Sequence, residues 1–226
     1  MPHTDDYQPE RRPITSRDKT ISKRAATWLV RRRVTPNAIS VAGMIAGLAV
    51  AIVLPLTVDS PYASALFITA AVLMQLRLLA NMLDGMVAVE TGISSAIGEL
   101  YNEMPDRISD AAILIGVGYA AGGSSTLGYI AVCVALFVAY VRSAVKTAGA
   151  PSDFCGPMAK QQRMLVVAGA AVFMGVMPFA WQFKWGPDND WGIVAAALLV
   201  VIVGGLVTAV RRVAHAVRSL GQDLGQ

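Results

Sequence analysis

Long apolar runs alternate with short polar segments along most of this chain. Ala38–Thr57 contains no charged residue, and Gly192–Val210 is nearly as long and equally apolar. A helix needs about 20 mostly apolar residues to cross a bilayer. The pattern therefore predicts six membrane-spanning helices: Ala38–Thr57, Tyr62–Ala80, Ile108–Ala121, Ser125–Tyr140, Met164–Trp181 and Gly192–Val210. The third reaches spanning length only if it extends backwards through the polar segment Gly98–Arg107.

Composition supports an all-α integral membrane protein. Hydrophobic residues make up 55% of the chain and charged residues only 15%, which is too apolar for an ordinary soluble domain. A soluble helical protein with large buried helices is the alternative, but five or six such runs in 226 residues argue against it. Two cysteines and two histidines suggest neither a disulfide framework nor histidine-based chemistry.

The segment before the first span has its own periodicity. Within Lys19–Arg33, apolar residues recur at helical spacing against a basic face, which predicts an interfacial helix on the inner leaflet. A plain juxtamembrane stop of positive charge would lie in the same place. Thr35-Pro36-Asn37 then begins the first span, because proline suits a first helical turn. The expected divisions are a polar tail with this helix (1–34), a six-helix membrane domain (35–215) and a polar C-terminal tail (216–226).

Basic residues set the expected orientation. Of the 19 Lys and Arg, nine precede the first span, four border the loop between spans four and five, and three follow span six. With six spans these sixteen share one face, which the positive-inside rule assigns to the cytoplasm. We expect an inner-membrane protein with both termini cytoplasmic. Its positive charge then reflects topology and anionic lipid, and no nucleic-acid partner is expected.

Intramembrane polarity is concentrated in spans two and three. Arg77, Asn81, Asp84 and Ala88 share one helix face at i+4, i+3 and i+4. Such residues are expensive in hydrocarbon and usually functional. Both spans meet at the short turn Glu90–Ile97, so their polar stripes are expected to face each other near the cytoplasmic surface. The second stripe consists of Gly98 or Glu99, Asn102, Asp106 and Asp110.

The chemistry of these stripes indicates a hard cation. Clustered oxygen ligands without histidine or cysteine suit Mg²⁺ or Mn²⁺. Gly85, Ala88 and Gly98 remove side-chain bulk, which would let a ligand approach the backbone. A divalent ion beside two carboxylates and a phosphate-sized gap points to phosphoryl-group chemistry.

The same segment resembles the signature of CDP-alcohol phosphotransferases. From Asn81 it runs Asn-Met-Leu-Asp-Gly-Met-Val-Ala-Val, eight residues, Gly98, three residues, Asn102, three residues and Asp106. The family pattern is D-x2-D-G-x2-A-R-x8-G-x3-D-x3-D, and every spacing is kept. The six-span layout and Thr35-Pro36-Asn37 extend the resemblance over most of the chain. The sequence departs from the pattern at the first and third aspartates, which are asparagines, and at the arginine, which is Val89.

The resemblance implies a metal site and a base. In the family the four aspartates hold two divalent ions, and the last one deprotonates the acceptor alcohol. The matching ligands here are Asn81, Asp84, Asn102 and Asp106, for one or two Mg²⁺ or Mn²⁺ ions, with Asp106 as the base. Asparagine can ligate through its carbonyl oxygen, but each change removes one negative charge.

Two nearby residues would compensate for signature charges that this sequence lacks. Glu99 shares a face with Asn102 and Asp106 and would restore a charge, whereas Arg77 would replace the phosphate-holding arginine lost at Val89. Alternatively, Arg77 and Glu99 pair with each other.

The resemblance also implies a nucleotide-lipid pocket that includes the first turn of span one. Ser95 on the turn after span two matches a polar position of this pocket, and the neighbouring Ser94 is the alternative. An anionic acceptor would meet basic residues at the cytoplasmic face, although topology alone predicts them there. The candidate substrate-binding residues are Asn37, Ser40, Arg77, Gly85, Ala88, Ser95, Gly98 and Glu99, and the candidate acceptor residues are Arg142, Lys146 and Arg163.

The implied function is transfer of a phosphatidyl-type group from a CDP-diacylglycerol-like lipid to an alcohol, with release of CMP, in phospholipid biosynthesis. A degenerate, non-catalytic member that binds nucleotide, lipid or a partner stays open, because three signature residues differ. A transporter is disfavoured because no internal repeat is present. The acceptor alcohol is left open, and the small residues Gly43 and Gly47 leave a homodimer possible.

Overall fold

The described residues of the computed structural model form a helical bundle, as the apolar pattern predicts. These residues are 20–92, 96–150, 156–178, 181–187 and 190–223, with only the backbone described for 96–102 and 222–223. In chain order they contain α1 (Thr20–Arg31), α2 (Pro36–Val53), α3 (Ala63–Glu90), α4 (Ala96–Gly118), α5 (Ser125–Thr147), α6 (Lys160–Val176) and α7 (Ile193–Asp223). A short 3₁₀ turn, Pro55–Thr57, follows α2.

Helix starts follow from capping chemistry. Thr35 precedes α2 in an extended conformation, and its hydroxyl accepts a hydrogen bond from the Ala38 N–H at 3.3 Å. This bond satisfies a backbone donor that the helix itself leaves unpaired. Pro36 then occupies the first turn, where its missing N–H costs nothing. Ser124 caps α5 in the same way through the Leu127 N–H.

Four helical segments are long and apolar enough to cross a membrane among the residues described: Pro36–Thr57, Ala63–Glu90, Ser125–Thr147 and Ile193–Gly221. Of the others, α4 contains several charged residues and α6 has only 17 residues. Large apolar side chains are exposed along the long helices. Ile52 is 67% exposed and Val210 69% exposed. Exposed apolar side chains of this kind suit contact with lipid.

The second helix organises the bundle. It packs against both α3 and α4, while α3 also packs on α6, α4 on α5, and α5 on α7. These contacts enclose a buried apolar core. Its members include Val50, Phe67, Met74, Leu114 and Leu198.

Two glycines of α2 let its neighbours approach closely. A Cβ at Gly43 would lie 2.9 Å from the Ala80 Cβ of α3, and one at Gly47 would lie 2.5 Å from the Ser109 Cβ of α4. The small-residue motif is therefore used for packing within this chain. It brings Ser109 of α4 within reach of Arg77 on α3.

The first helix is attached to the end of α3. Ala26 is buried among Ile39, Met82 and Val87, and the Thr27 hydroxyl donates a hydrogen bond to Glu90 Oε1 at 2.9 Å. The exposed side of α1 presents Ile21 and Trp28, two of the apolar residues on which the interfacial helix was predicted. Helix α3 continues beyond the predicted end at Ala80 to Glu90.

Candidate active site

Asp84 is oriented by the first turns of α2. Its carboxylate is buried, and its Oδ2 accepts a hydrogen bond from the Ser40 hydroxyl at 2.7 Å. The Gly85 N–H donates to the other oxygen at 2.5 Å. Because the Thr35 cap and Pro36 fix where α2 begins, they also fix where Ser40 meets Asp84. Ser40 and Gly85, both predicted substrate residues, thus hold a predicted metal ligand.

Asp106 of α4 meets cations from two other helices. Arg77 Nη2 donates to Asp106 Oδ1 at 3.0 Å and to its carbonyl oxygen at 3.1 Å. The Lys160 ammonium donates to Asp106 Oδ2, and also to Asn81 Oδ1 at 2.7 Å. Asn81 and Asp106, predicted as ligands of a shared site, are therefore brought together by a lysine from the first turn of α6.

A second carboxylate, Asp110, lies one turn deeper. Its Oδ1 is 2.8 Å from Arg77 Nη2, and its Oδ2 accepts a hydrogen bond from Arg163 at 3.0 Å. Ser109 supports the same guanidinium, since its hydroxyl accepts from Arg77 Nε at 3.0 Å and from Nη2 at 2.8 Å. We call Arg77, Asp106, Asp110, Lys160 and Arg163 the buried ion cluster.

The position of Lys160 is set by the segment before α6. Gly156 has a φ of +116°, and a Cβ there would lie 2.5 Å from Thr208 of α7. The Met158 N–H donates to the Thr208 hydroxyl at 2.9 Å. This anchoring on α7 fixes the start of α6, so the first side chain of that helix projects towards Asp106.

A smaller ionic group lies closer to solvent. Glu103 accepts hydrogen bonds from Arg107, four residues later on α4, and from Arg142 of α5 at 3.1 Å. Glu103 is 35% exposed and Arg142 36% exposed. We call Glu103, Arg107 and Arg142 the rim trio. Lys146, one turn beyond Arg142, is exposed.

The other predicted residues fall into three groups. Asn37 is exposed, whereas Gly85 and Ala88 are half-buried on the Asp84 side of α3. Arg77 and Arg163 are buried and engaged with carboxylates, Arg77 with Asp106 and Asp110. Ser95 lies outside the described residues, as do the side chains of Glu99 and Asn102, and only the backbone of Gly98 is described.

Sequence reasoning missed Lys160 and Ser109 as site residues. Lys160 is 54 positions from Asp106, and a basic residue in a cytoplasmic loop is expected from topology alone. One signal was available: a lysine in the first turn of a helix opposes the helix dipole and needs a compensating acid. Ser109 directly precedes Asp110 of the polar stripe, and its role is visible only in the structure, where it lies beside Gly47 and accepts hydrogen bonds from Arg77.

The donor set fits a hard cation. Asp84 and Asp106 supply carboxylate oxygens and Asn81 an amide oxygen, which are the ligand types that Mg²⁺ and Mn²⁺ prefer. However, both Asp106 oxygens and the Asn81 oxygen already accept hydrogen bonds from Arg77 or Lys160. Spare lone pairs on the carboxylates suffice for one ion. Within the described part of the chain, no group of three or more acidic, histidine or cysteine side chains is placed to hold a metal.

The helical bundle with exposed apolar side chains and the oxygen-rich ionic site are the features expected of a membrane-embedded transferase of phosphorus-containing groups. Residues 33–207 match the family described as CDP-alcohol phosphatidyltransferase. The chain belongs to this family, which confirms the expected resemblance and makes the chain a transferase of phosphorus-containing groups.

Individual relatives agree with this assignment. The phosphatidylinositol phosphate synthase of Streptomyces avermitilis is 27% identical over 197 residues, which cover 83% of this chain and 74% of the relative. The fold resembles crystal structures of Mycobacterium tuberculosis phosphatidylinositol phosphate synthase. The form with CDP-DAG bound has a TM-score of 0.69 at 21% identity, with 88% of this chain and 94% of that chain covered. The form with manganese and citrate has a TM-score of 0.68 at 23% identity, with coverages of 88% and 89%.

Proposed function

We propose that this chain transfers the phosphatidyl group of CDP-diacylglycerol to a phosphorylated polyol, with inositol phosphate as the first candidate, and releases CMP. The observation that carries the proposal is that Asp84 of α3 and Asp106 of α4 are present at the spacing of the family signature. Ser40 and Arg77 orient these two carboxylates through hydrogen bonds. The synthase activity of the Streptomyces relative supports the choice of acceptor.

The proposed step is a single displacement at phosphorus. Asp106 accepts the proton of the acceptor hydroxyl, a role that is typically worth about 10²–10⁴-fold in rate. The acceptor oxygen forms a bond to the phosphorus that carries diacylglycerol, while the bond from this phosphorus to the CMP oxygen breaks. The electron pair of that bond leaves with CMP. Each Asp106 oxygen has a second lone pair beside the one that accepts a hydrogen bond, and such a lone pair takes the proton.

We propose that Asp84, Asp106 and the amide oxygen of Asn81 hold one Mg²⁺ or Mn²⁺, with Asn102 as a further candidate. When bound, such an ion polarises the diphosphate and neutralises charge that develops on the leaving phosphate. The remaining work falls to this chain's own side chains. Ser40 keeps the Asp84 carboxylate aimed into the site, and Arg77 keeps Asp106 from turning away.

The rim trio favours an anionic acceptor. Among the described side chains, Arg107 and Arg142 share the carboxylate of Glu103, and the exposed Lys146 adds another positive charge one turn away. A phosphate group on the acceptor would be attracted to this excess of positive charge, whereas a neutral polyol would not. Arg142 and Lys146 are therefore proposed to bind the acceptor. We do not include Arg163 in the proposed acceptor site, because its guanidinium is buried against Asp110.

Membrane topology completes the proposal. We propose that α2 to α7 all span the bilayer, with both termini and the site on the cytoplasmic side of the inner membrane. The charges of α4 support this, because its partners from α3, α5 and α6 neutralise them inside the bundle. The exposed Ile21 and Trp28 of α1 are proposed to lie in the inner leaflet.

A non-catalytic binding role is the second candidate. Its supporting observation is that both Asp106 oxygens are engaged by cations, which disfavours proton uptake. Purified protein in lipid nanodiscs, supplied with CDP-diacylglycerol and Mg²⁺ or Mn²⁺, separates the two. We expect CMP release with inositol phosphate to exceed release with inositol or glycerol phosphate. Absence of CMP release with every acceptor, while CDP-diacylglycerol still binds, would support the binding role and contradict the enzyme.

A further inference from the structure

Lys160 lies where the two signature helices converge. Its ammonium contacts Asn81 Oδ1 of α3 at 2.7 Å and Asp106 Oδ2 of α4, and its side chain is only 19% exposed. A lysine at the start of a helix near a loop ordinarily extends its long stem to place the charge in water. This one instead points inwards and joins two residues that match metal-ligand positions of the family signature.

The electrostatics of the helix start disfavour a positive charge at this position. Lys160 is the first residue of α6, where the helix dipole is positive and disfavours a further positive charge. The carboxylate of Asp106 offsets this cost. The anchoring of Gly156 and Met158 on Thr208 fixes where α6 begins, and therefore where the lysine side chain leaves the backbone.

Charge balance distinguishes one divalent ion from two. The buried ion cluster together with Asp84 contains three cations and three carboxylates, so these described side chains sum to zero. One divalent ion would balance the roughly two negative charges of a bound diphosphate. A second would leave about two uncompensated positive charges in a low-dielectric site, which is strongly unfavourable.

From this geometry we infer that the Lys160 ammonium takes the place of a second divalent ion. The two signature asparagines, Asn81 and Asn102, remove two negative charges, and Lys160 supplies a fixed positive charge between Asn81 and Asp106. The chain then works with one exchangeable divalent ion and one tethered cation. This inference rests on the proposed function for its catalytic meaning, but the number of ions bound can be measured without any reaction.

The first test counts ions. Full-length protein in nanodiscs with CDP-diacylglycerol and no acceptor is titrated with Mn²⁺, and free Mn²⁺ is followed by electron paramagnetic resonance. We expect one Mn²⁺ per chain for the wild type and for the double variant Asn81→Asp with Asn102→Asp. Adding Lys160→Gln to that double variant should raise the number to two. Two ions bound by the wild type, or by the double variant with Lys160 present, would overturn the inference.

The second test follows the lysine in the reaction. Lys160→Gln should lower the kcat of CMP release by roughly 10- to 100-fold, as expected for loss of one charge-assisted hydrogen-bonding group. Methylammonium should restore part of this loss, whereas Lys160→Arg should retain more activity than Lys160→Gln. The matched control is Lys184→Gln, in the exposed segment between α6 and α7, which should behave as wild type in both tests.

The two proposals fail in different ways. Wild-type protein that releases no CMP with any acceptor contradicts the proposed function, while the Mn²⁺ count still decides whether Lys160 excludes a second ion. Active wild-type protein whose Lys160→Gln variant only raises the KM for the acceptor, at unchanged kcat, would instead make Lys160 an acceptor-binding residue. That result would overturn the inference and leave the proposed function intact. Thermal midpoints of all variants verify that each is folded.

Discussion

The buried ion cluster and the rim trio use the same chemistry in different surroundings. In each, one carboxylate bridges two cations: Asp110 joins Arg77 and Arg163, and Glu103 joins Arg107 and Arg142. Asp110 is almost completely buried, whereas Glu103 is about one-third exposed. Breaking a buried pair leaves an uncompensated charge at low dielectric, but water and salt screen the exposed pair.

Because of this difference in burial, we expect a structural role for the buried ion cluster and a role in acceptor recognition for the rim trio. The buried cluster holds α3, α4 and α6 in register and fixes Asp106, so its members cannot be changed singly without a large cost. The rim trio costs little to alter and lies where an incoming acceptor would first meet positive charge. We therefore expect variants of the cluster to affect folding or kcat, and variants of the rim to affect mainly the KM for the acceptor.

The largest expected effect is on catalysis. Asp106→Asn keeps the size of the side chain but removes the proposed base, and CMP release should fall by roughly 10²–10⁴-fold. Steady-state assays with CDP-diacylglycerol and inositol phosphate measure this loss. Asp59→Asn, in the exposed loop before α3, is the matched control and should leave the rate unchanged. Equal rates for wild type and Asp106→Asn would rule out Asp106 as the base.

Next comes the stability of the buried cluster. Asp110→Asn leaves Arg77 and Arg163 without the charge they share, and unfolding free energy should fall by about 3–5 kcal/mol. The thermal midpoint of tryptophan fluorescence in detergent monitors this change. Combining it with Arg163→Met should recover part of the loss, because one uncompensated cation is then removed. If the double variant loses as much unfolding free energy as the two single variants together, coupling through Asp110 is contradicted.

A smaller effect is expected where α2 meets α4. Gly47→Ala places a methyl group 2.5 Å from Ser109 Cβ and should destabilise the protein by about 1–3 kcal/mol through overpacking. Gly169→Ala in α6 is the matched control, because a Cβ there meets nothing within 4 Å. Thermal midpoints of the two variants provide the comparison. Equal midpoints would show that α2 and α4 can separate without consequence.

The smallest stability effect belongs to the rim. Glu103→Gln should change unfolding free energy by only about 0.2–1 kcal/mol, since the pair is partly exposed. It also releases Arg107 and Arg142 from their carboxylate, so the KM for an anionic acceptor should fall while the KM for CDP-diacylglycerol stays constant. A loss of stability as large as that of Asp110→Asn would erase the distinction between the two clusters.

Much of the fold can be predicted from local features of the sequence. The Thr35 cap with Pro36 predicts the start of α2, and the long apolar runs predict the helices that follow. Helix ends are less predictable, because α3 continues to Glu90 through polar residues that neighbouring helices satisfy. The polar stripes likewise predict that Asn81 and Asp106 lie in one site, because each stripe follows from the spacing of residues within a single helix.

The parts of the site that the sequence did not predict depend on contacts between distant segments of the chain. No periodicity places Lys160 beside Asp106, because that contact depends on Gly156 and Met158 packing against Thr208 of α7. Arg77 was expected to face a phosphate or pair with Glu99. In the structure it is buried between Asp106 and Asp110, and the approach of α4 to Gly47 makes this possible.

The central claim is transfer of the donor's own phosphorus to an alcohol, and a double-label experiment tests it most directly. CDP-diacylglycerol carrying ³²P at the phosphorus next to diacylglycerol is incubated with ³H-labelled inositol phosphate and purified protein. We predict a lipid product that contains both labels in equal molar amounts, together with an equal amount of unlabelled CMP. If ³²P stays in the donor or appears only in phosphatidic acid without ³H, the account is contradicted.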